Sequence, residues 1–310
     1  DVLTRNGGEI ERRAGQAIRV VAASRRNVAA LKALADVGVR TTDDPGAVVR
    51  DPEVDVVVEL IGGTTLAKQL VLEAISLGKH VVTANKALLA KHGMALAALA
   101  EANKVPLAFE ASVAGGIPIV KTLREGLAGN RIERVYGILN GTCNYILSNM
   151  EQEGLSFDEC LKEAQRLGYA EADPTFDIGG FDTAHKLSIL TSLAFGTQVD
   201  ADAIHVEGIQ SITLADLESA EELGYRIKLL GVAQRTAGGI EQRVHPTMVP
   251  LSSAIAQVMG VTNAVTIDAL STVRADATQG SGGNITIEAD QVDLRGRVSA
   301  DGASQGGDIF

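Results

Sequence analysis

Val54-Asp-Val-Val-Val-Glu-Leu-Ile61, closed by Gly62-Gly63, is the stretch on which the fold turns. Its nearly continuous apolar run reads as a strand covered on both faces, the habit of strands in parallel sheets. Downstream, Leu66–Leu77 is helical, with Leu66, Leu70 and Ala74 on one face, and Gly78 stops it. His80–Thr83 is the next strand, Leu88–Asn103 a helix, and Val105–Phe109 a strand. Upstream, Ile18–Ala23 reads as a strand, and Asn27 as the N-cap of a helix through Leu34. Such strand–helix–strand repeats predict an α/β, doubly wound (Rossmann-like) sheet of the dinucleotide-binding kind. The start breaks the pattern. Val2–Ala14 is an amphipathic helix with no strand before it, and no Gly-x-Gly-x-x-Gly occurs; Gly7-Gly8 follows helical residues instead. The expectation is a truncated domain whose central first strand and glycine turn are missing.

Beyond residue 112 the character changes to α+β. Ile117–Leu127 and Thr142–Met150 read as helices around a strand Ile132–Leu139. Ser156 with Glu159 forms a capping box ahead of a helix through Leu167, and Asp182 to about Phe195 is another helix. Thr213–Leu223 is helical, and Tyr225–Arg235 and Ile240–Val249 form a hairpin around Ala237-Gly238-Gly239. This second domain spans 113–265. From residue 266 to 310 the chain is rich in Gly, Ser, Asp and Thr, and Gly282-Gly-Asn-Ile285 returns as Gly306-Gly-Asp-Ile309. Two readings stay open for that tail: β-solenoid coils or a Gly-rich disordered segment.

The 310 residues, 45% hydrophobic and 22% charged, suffice for about two domains with real cores. A formal net charge of −11 argues against nucleic acid and anionic membranes as partners. No apolar run is long enough to span a bilayer, the first residues lack the marks of a signal peptide, and Cys143 and Cys160 make no disulfide framework. A cytoplasmic metabolic protein is the expectation.

Three clusters carry chemistry. Gly168-Tyr-Ala-Glu171-Ala-Asp-Pro-Thr-Phe-Asp177, leading through Gly179-Gly180 to Asp182 and Lys186, gathers several carboxylates around one lysine. Asp182 and Lys186 share a helix face with Leu190 and Leu193, so Lys186 follows an apolar stripe. A lysine in such a partly dry site can pass a proton; the plainer reading is an exposed i,i+4 salt bridge. Val82-Thr-Ala-Asn85-Lys86 sits at the carboxyl end of a parallel strand, as does Gly62, where doubly wound folds hold ligands. Phe109-Glu110-Ala-Ser-Val-Ala-Gly-Gly-Ile-Pro118 offers one carboxylate and several free carbonyls, a hard-cation donor set for Na⁺ or K⁺, or else simply a tight glycine turn. Arg25 and Arg26 follow the second strand of the pattern, where an acid would accept a ribose hydroxyl; the two arginines either suit a 2′-phosphate, which leans towards NADP over NAD, or are simply exposed residues flanking a helix.

Together Val56–Gly63, Val81–Lys86, Phe109–Pro118, Asn140-Gly-Thr-Cys-Asn-Tyr-Ile-Leu147 and the 168–186 segment resemble homoserine dehydrogenase, in the family's order. The resemblance spans about residues 1–265. It implies NAD(P)-linked interconversion of L-homoserine and L-aspartate 4-semialdehyde, and a homodimer. It also implies roles: Lys186 as general acid/base, Lys86 beside the reacting carbonyl, Glu171 and Asp182 on the substrate's ammonium end with Asp177 supporting them, and Gly168 near the cofactor with Gly62 and Asn85. Glu110 and the carbonyls of Val113, Gly115 and Ile117 match the family's monovalent-cation site. The missing first strand predicts weak turnover in this chain. The alternatives are a non-catalytic dehydrogenase remnant joined to a structural β-solenoid, and an acylating semialdehyde dehydrogenase with Cys143 as nucleophile.

Overall fold

The computed structural model describes residues 2–270, with the backbone of 272–276 and 297–301. The chain divides between Phe109 and Glu110 into two compact units, three residues before the boundary expected at 112.

Unit 1 is built on short parallel strands: β1 (Ala22–Ser24), β2 (Arg40–Thr42), β3 (Val56–Glu59), β4 (His80–Thr83) and β5 (Leu107–Ala108). They form two sheets, β1-β2 and β3-β4-β5, with Val56 opposite His80 and Val81 opposite Leu107. In a doubly wound order of 3-2-1-4-5-6, these strands stand for positions 2, 3, 4, 5 and 6. Among the described residues nothing pairs between β1 and β3. The expected helix ahead of them is split at Asn6 into Val2–Arg5 and Gly7–Ala14. The core gathers Val57, Leu70, Val71, Ile75, Val81, Leu88 and Leu96 from β3, β4 and the helices Leu66–Ser76 and Lys86–Asn103. Val56 and Val58 are exposed, so β3 buries one face here rather than the two its apolar run predicts. Asn27 makes no capping bond; a tight turn, Val28–Leu31, and a short helix, Lys32–Ala35, replace the single helix expected there.

Unit 2 carries a five-stranded sheet: β6 (Arg131–Ile138), β7 (His205–Val206), β8 (Tyr225–Thr236), β9 (Gly239–Pro250) and β10 (Ala264–Leu270), ordered β10-β6-β8-β9-β7. The β8–β9 hairpin is paired along its whole length, from Tyr225 against Pro250 to Thr236 against Gly239. β10 runs through the composition change at residue 266, because Val265-Thr-Ile-Asp268 alternates as an edge strand does. Gly137 is required where β6 meets it: a Cβ there would stand 2.2 Å from the Ala264 carbonyl oxygen. Helices Gly141–Glu153, Phe157–Arg166, Phe181–Phe195 and Leu214–Glu222 belong to this unit, and the Ser156–Glu159 capping box forms as read. The helix expected over 117–127 is instead a short turn, Ile119–Lys121, widening into a π-turn through Gly126. Thr272–Asp276 and Arg297–Asp301 pair in parallel; the Gly-Gly repeats at 282–285 and 306–309 lie outside the described residues. No described helix is long and apolar enough to cross a membrane.

Candidate active site

In unit 2, the start of the helix Gly141–Glu153 organises the chemistry. Asn140 is its N-cap: Oδ1 accepts from the Cys143 amide at 2.8 Å, which fixes the direction of the side-chain amide. Its Nδ2 then donates to two carboxylates, Asp177 Oδ1 and Asp182 Oδ2, each at 2.9 Å. Asp182 sits in the first turn of the helix Phe181–Phe195, launched by Gly180 in the left-handed region (φ +85°). One turn on, Lys186 Nζ donates to Asp182 Oδ2 at 2.7 Å and to the Leu139 carbonyl at 2.7 Å. The Asp182 side chain is 2% exposed and that of Lys186 15%. This is no exposed surface bridge. The cluster holds two acids, a lysine and an amide whose orientation is set by a helix cap. Net negative and partly dry, it suits a substrate carrying an ammonium group.

Asn140 was invisible as a site residue in sequence terms; its signal was an Asn placed to cap a helix beside the carboxylate-rich segment. Glu171 lies apart from this network. It is exposed, and only its backbone is engaged, its carbonyl accepting from Gln165. Gly168 ends the preceding helix region in the left-handed conformation, exposed, and the next carbonyl, Tyr169, accepts from Thr142 at 2.6 Å. Cys143 is fully buried, and its thiol donates to the Asp177 carbonyl at 3.2 Å. Burial first, and then the Asp177 and Asp182 charges, push that thiol far up, so it offers no thiolate for acyl transfer. Burial and this bond do not support Cys143 as a nucleophile.

Glu110 spends both oxygens on backbone donors, Val120 at 2.7 Å and Lys121 at 3.0 Å, anchoring the turn that follows. Val113 is buried and Gly115 exposed, and the Ile117 carbonyl accepts from Ile119 at 2.8 Å. A carboxylate has about four lone-pair sites, so both Glu110 oxygens keep acceptor capacity beside these bonds. Among the described residues no group of three or more His, Cys, Asp or Glu side chains forms a metal site.

In unit 1 a second polar cluster lies at the carboxyl ends of β3 and β4. Glu59, 3% exposed, accepts from the Ile61 and Gly62 amides at 2.8 and 3.0 Å and from the Thr83 hydroxyl at 2.6 Å. Thr83 in turn accepts from the Asn85 amide, and Asn85 both donates to the Gly63 carbonyl at 2.7 Å and caps the helix that begins with Lys86. Gly62 and Gly63 adopt φ of +80° and +72°, with open space where a Cβ would stand, so the backbone there is open to close approach. Arg25 and Arg26 are exposed just beyond β1. Sequence reading singles out Gly62, Asn85 and Lys86, which lie at these strand ends, and passes over Glu59, although a lone acid inside an apolar run is itself a signal. The surface cleft lined by Arg50, Lys79 and His80 lies at the opposite, amino ends of these strands.

Comparison with known proteins agrees with this division. Residues 4–110 match the model "Homoserine dehydrogenase, NAD binding domain", and residues 118–290 match "Homoserine dehydrogenase", well past residue 265. Homoserine dehydrogenase of Pseudomonas aeruginosa is 55% identical over 271 residues, covering 86% of this chain and 61% of the relative. The crystal structure of a homoserine dehydrogenase from Thiobacillus denitrificans is 58% identical, with a TM-score of 0.83 over 86% of this chain and 62% of that one. A hyperthermophilic archaeal homoserine dehydrogenase in complex with NADPH is 25% identical, with a TM-score of 0.61 over 86% of this chain and 73% of its own. The chain thus spans about three fifths of the length of the first two relatives. Matched by family models over most of its length, the chain belongs to the homoserine dehydrogenase family.

Proposed function

We propose that this chain carries the dehydrogenase chemistry of its family: reversible, NAD(P)-linked interconversion of L-homoserine and L-aspartate 4-semialdehyde. The observation that supports it most is the Asn140–Asp177–Asp182–Lys186 cluster. Lys186 Nζ is the proton donor to the aldehyde oxygen during reduction and the acceptor from the alcohol during oxidation. Asp182 and the Leu139 carbonyl hold that nitrogen in place. Asp177 and Asp182, bridged by Asn140, attract the substrate's ammonium group, and Glu171 on the same segment is a further acid for it. Lys86, at the start of its helix, orients the carbonyl.

The residues of unit 1 fit a nicotinamide dinucleotide: open glycine backbone at Gly62 and Gly63, Asn85 and Lys86 at the strand ends, and Arg25 and Arg26 for a 2′-phosphate, which favours NADP. When bound, the nicotinamide supplies or takes up the hydride, the part no side chain can perform. Glu110 with the carbonyls of Val113, Gly115 and Ile117 holds a Na⁺ or K⁺ ion that stiffens the 110–121 turn. The working assembly is a homodimer.

The test is NADPH oxidation by the purified chain with L-aspartate 4-semialdehyde, beside Lys186→Met. Semialdehyde-dependent turnover that vanishes in the variant supports the reading. A wild-type chain that binds NADPH and semialdehyde but turns over no faster than Lys186→Met refutes it.

A further inference from the structure

A buried acid is costly unless its oxygens are satisfied, and Glu59 meets that cost almost entirely with backbone. Oε1 takes two consecutive amides, Ile61 and Gly62, and so closes the turn that leaves β3. Oε2 takes the Thr83 hydroxyl on the neighbouring strand. The same hydroxyl oxygen accepts from the Asn85 amide, and the Asn85 side chain spans from the Gly63 carbonyl to the Leu88 amide. A single carboxylate therefore ties the Gly62–Gly63 turn to the first turn of the Lys86–Asn103 helix. Thr83 is 1% exposed and Asn85 9%, so water has little access to the bond between them.

We propose that Glu59 is a positioning residue: its carboxylate holds the Ile61–Gly63 turn and, through Thr83 and Asn85, the helix start bearing Lys86 in one arrangement, ready for a dinucleotide. This deepens the cofactor reading above and rests on it. Glu59 touches no reacting atom. Its effect passes through backbone whose two glycines, with left-handed φ, would otherwise sample many conformations.

Amide hydrogen exchange on the full chain, run beside NADPH titration, tests this. Glu59→Ala should speed exchange at Ile61 and Gly62 and weaken NADPH binding, each by about tenfold, the worth of roughly one hydrogen bond to a charged group. Thr83→Val should speed exchange at Asn85 and weaken NADPH less. Glu59→Gln, whose amide oxygen still accepts, should restore most of both. Should Glu59→Ala fail to fold, Glu59→Gln and Thr83→Val decide, through the same amides. Unchanged exchange at all three amides overturns the proposal, as does faster exchange with unaltered NADPH affinity. A wild-type chain that binds no NADPH would instead sink the cofactor reading, while exchange still judges the clamp.

Discussion

Glu59 and Asp182 are both buried acids, 3% and 1% exposed, yet they face opposite kinds of partner. Glu59 is met by two backbone amides and a hydroxyl, donors fixed by the chain itself. Asp182 is met by an ammonium and a side-chain amide, groups at the ends of rotatable side chains. The first arrangement holds a loop. The second keeps charge available, because Lys186 retains a path to solvent and a substrate can enter its hydrogen-bond shell. Burial alone does not separate scaffold from chemistry; the nature of the donors does.

The largest expected break in that contrast comes from Lys186. Lys186→Met should lower turnover by about 10³-fold, the usual worth of a positioned acid/base, while NADPH binding in unit 1 is retained. Steady-state kinetics beside a binding titration check it, and turnover within tenfold of wild type would remove Lys186 from the chemistry.

A third buried charge sharpens the comparison from another side. Lys228 is 1% exposed and donates only to neutral acceptors, Asn144 Oδ1 at 2.9 Å, the Val258 carbonyl at 2.6 Å and Met259 Sδ at 3.4 Å. Burial, helped by the Arg226 charge, pushes its ammonium down to about 8 from an ordinary 10.5. Below pH 8 both folded and unfolded chains carry this charge, and the folded one bears its full desolvation cost. Between about pH 8 and 10.5 the unfolded chain binds more protons, so this group makes stability rise with pH, by at most about 3 kcal/mol. Urea unfolding at several pH values should show that slope in the wild type and a flatter one in Lys228→Met. Equal slopes would mean the buried nitrogen does not titrate there.

Asp182→Asn follows in size. Removing one charge of a mostly buried ion pair leaves the Lys186 ammonium with neutral acceptors alone, the Leu139 carbonyl and the new amide oxygen, for a loss of about 2 kcal/mol after allowing for the exposure of Lys186. The urea midpoint should fall with an unchanged slope m. A midpoint equal to wild type would show that the pair contributes nothing to the fold.

How far the sequence reaches is uneven, for physical reasons. Long elements with strong period announce themselves: the helix Leu66–Ser76 and the β8–β9 hairpin lie within a residue or two of their expected limits. Short strands do not. Arg40-Thr-Thr42 and His205-Val206 have too few apolar residues to show a period, and they are strands only because a neighbour pairs with them. In the candidate site, the i,i+4 spacing of Asp182 and Lys186 was legible, because a helix fixes it. The bridge from Asn140 to Asp177 and Asp182 was not, since it joins residues 37 and 42 positions apart. Glu171 shows the converse limit: adjacency in sequence to the carboxylate cluster does not place its side chain in the network.

The smallest effect belongs to Cys143, and its smallness is informative. The thiol sits within the site's own hydrogen-bond shell, donating to the Asp177 carbonyl, with its backbone amide on Asn140. A nucleophile here would need the thiolate, but burial and two neighbouring carboxylates oppose it. Cys143→Ser keeps a donor of similar size in the same place, so the short helix Thr175–Ile178 and the Asn140 cap should both survive. Turnover within about threefold of wild type, with a stability change of about 1 kcal/mol or less, is the expected result. A collapse of turnover comparable to that of Lys186→Met would mean that the sulfur acts chemically after all. Cys143 would then belong with Lys186 among the groups that react rather than with those that hold the site.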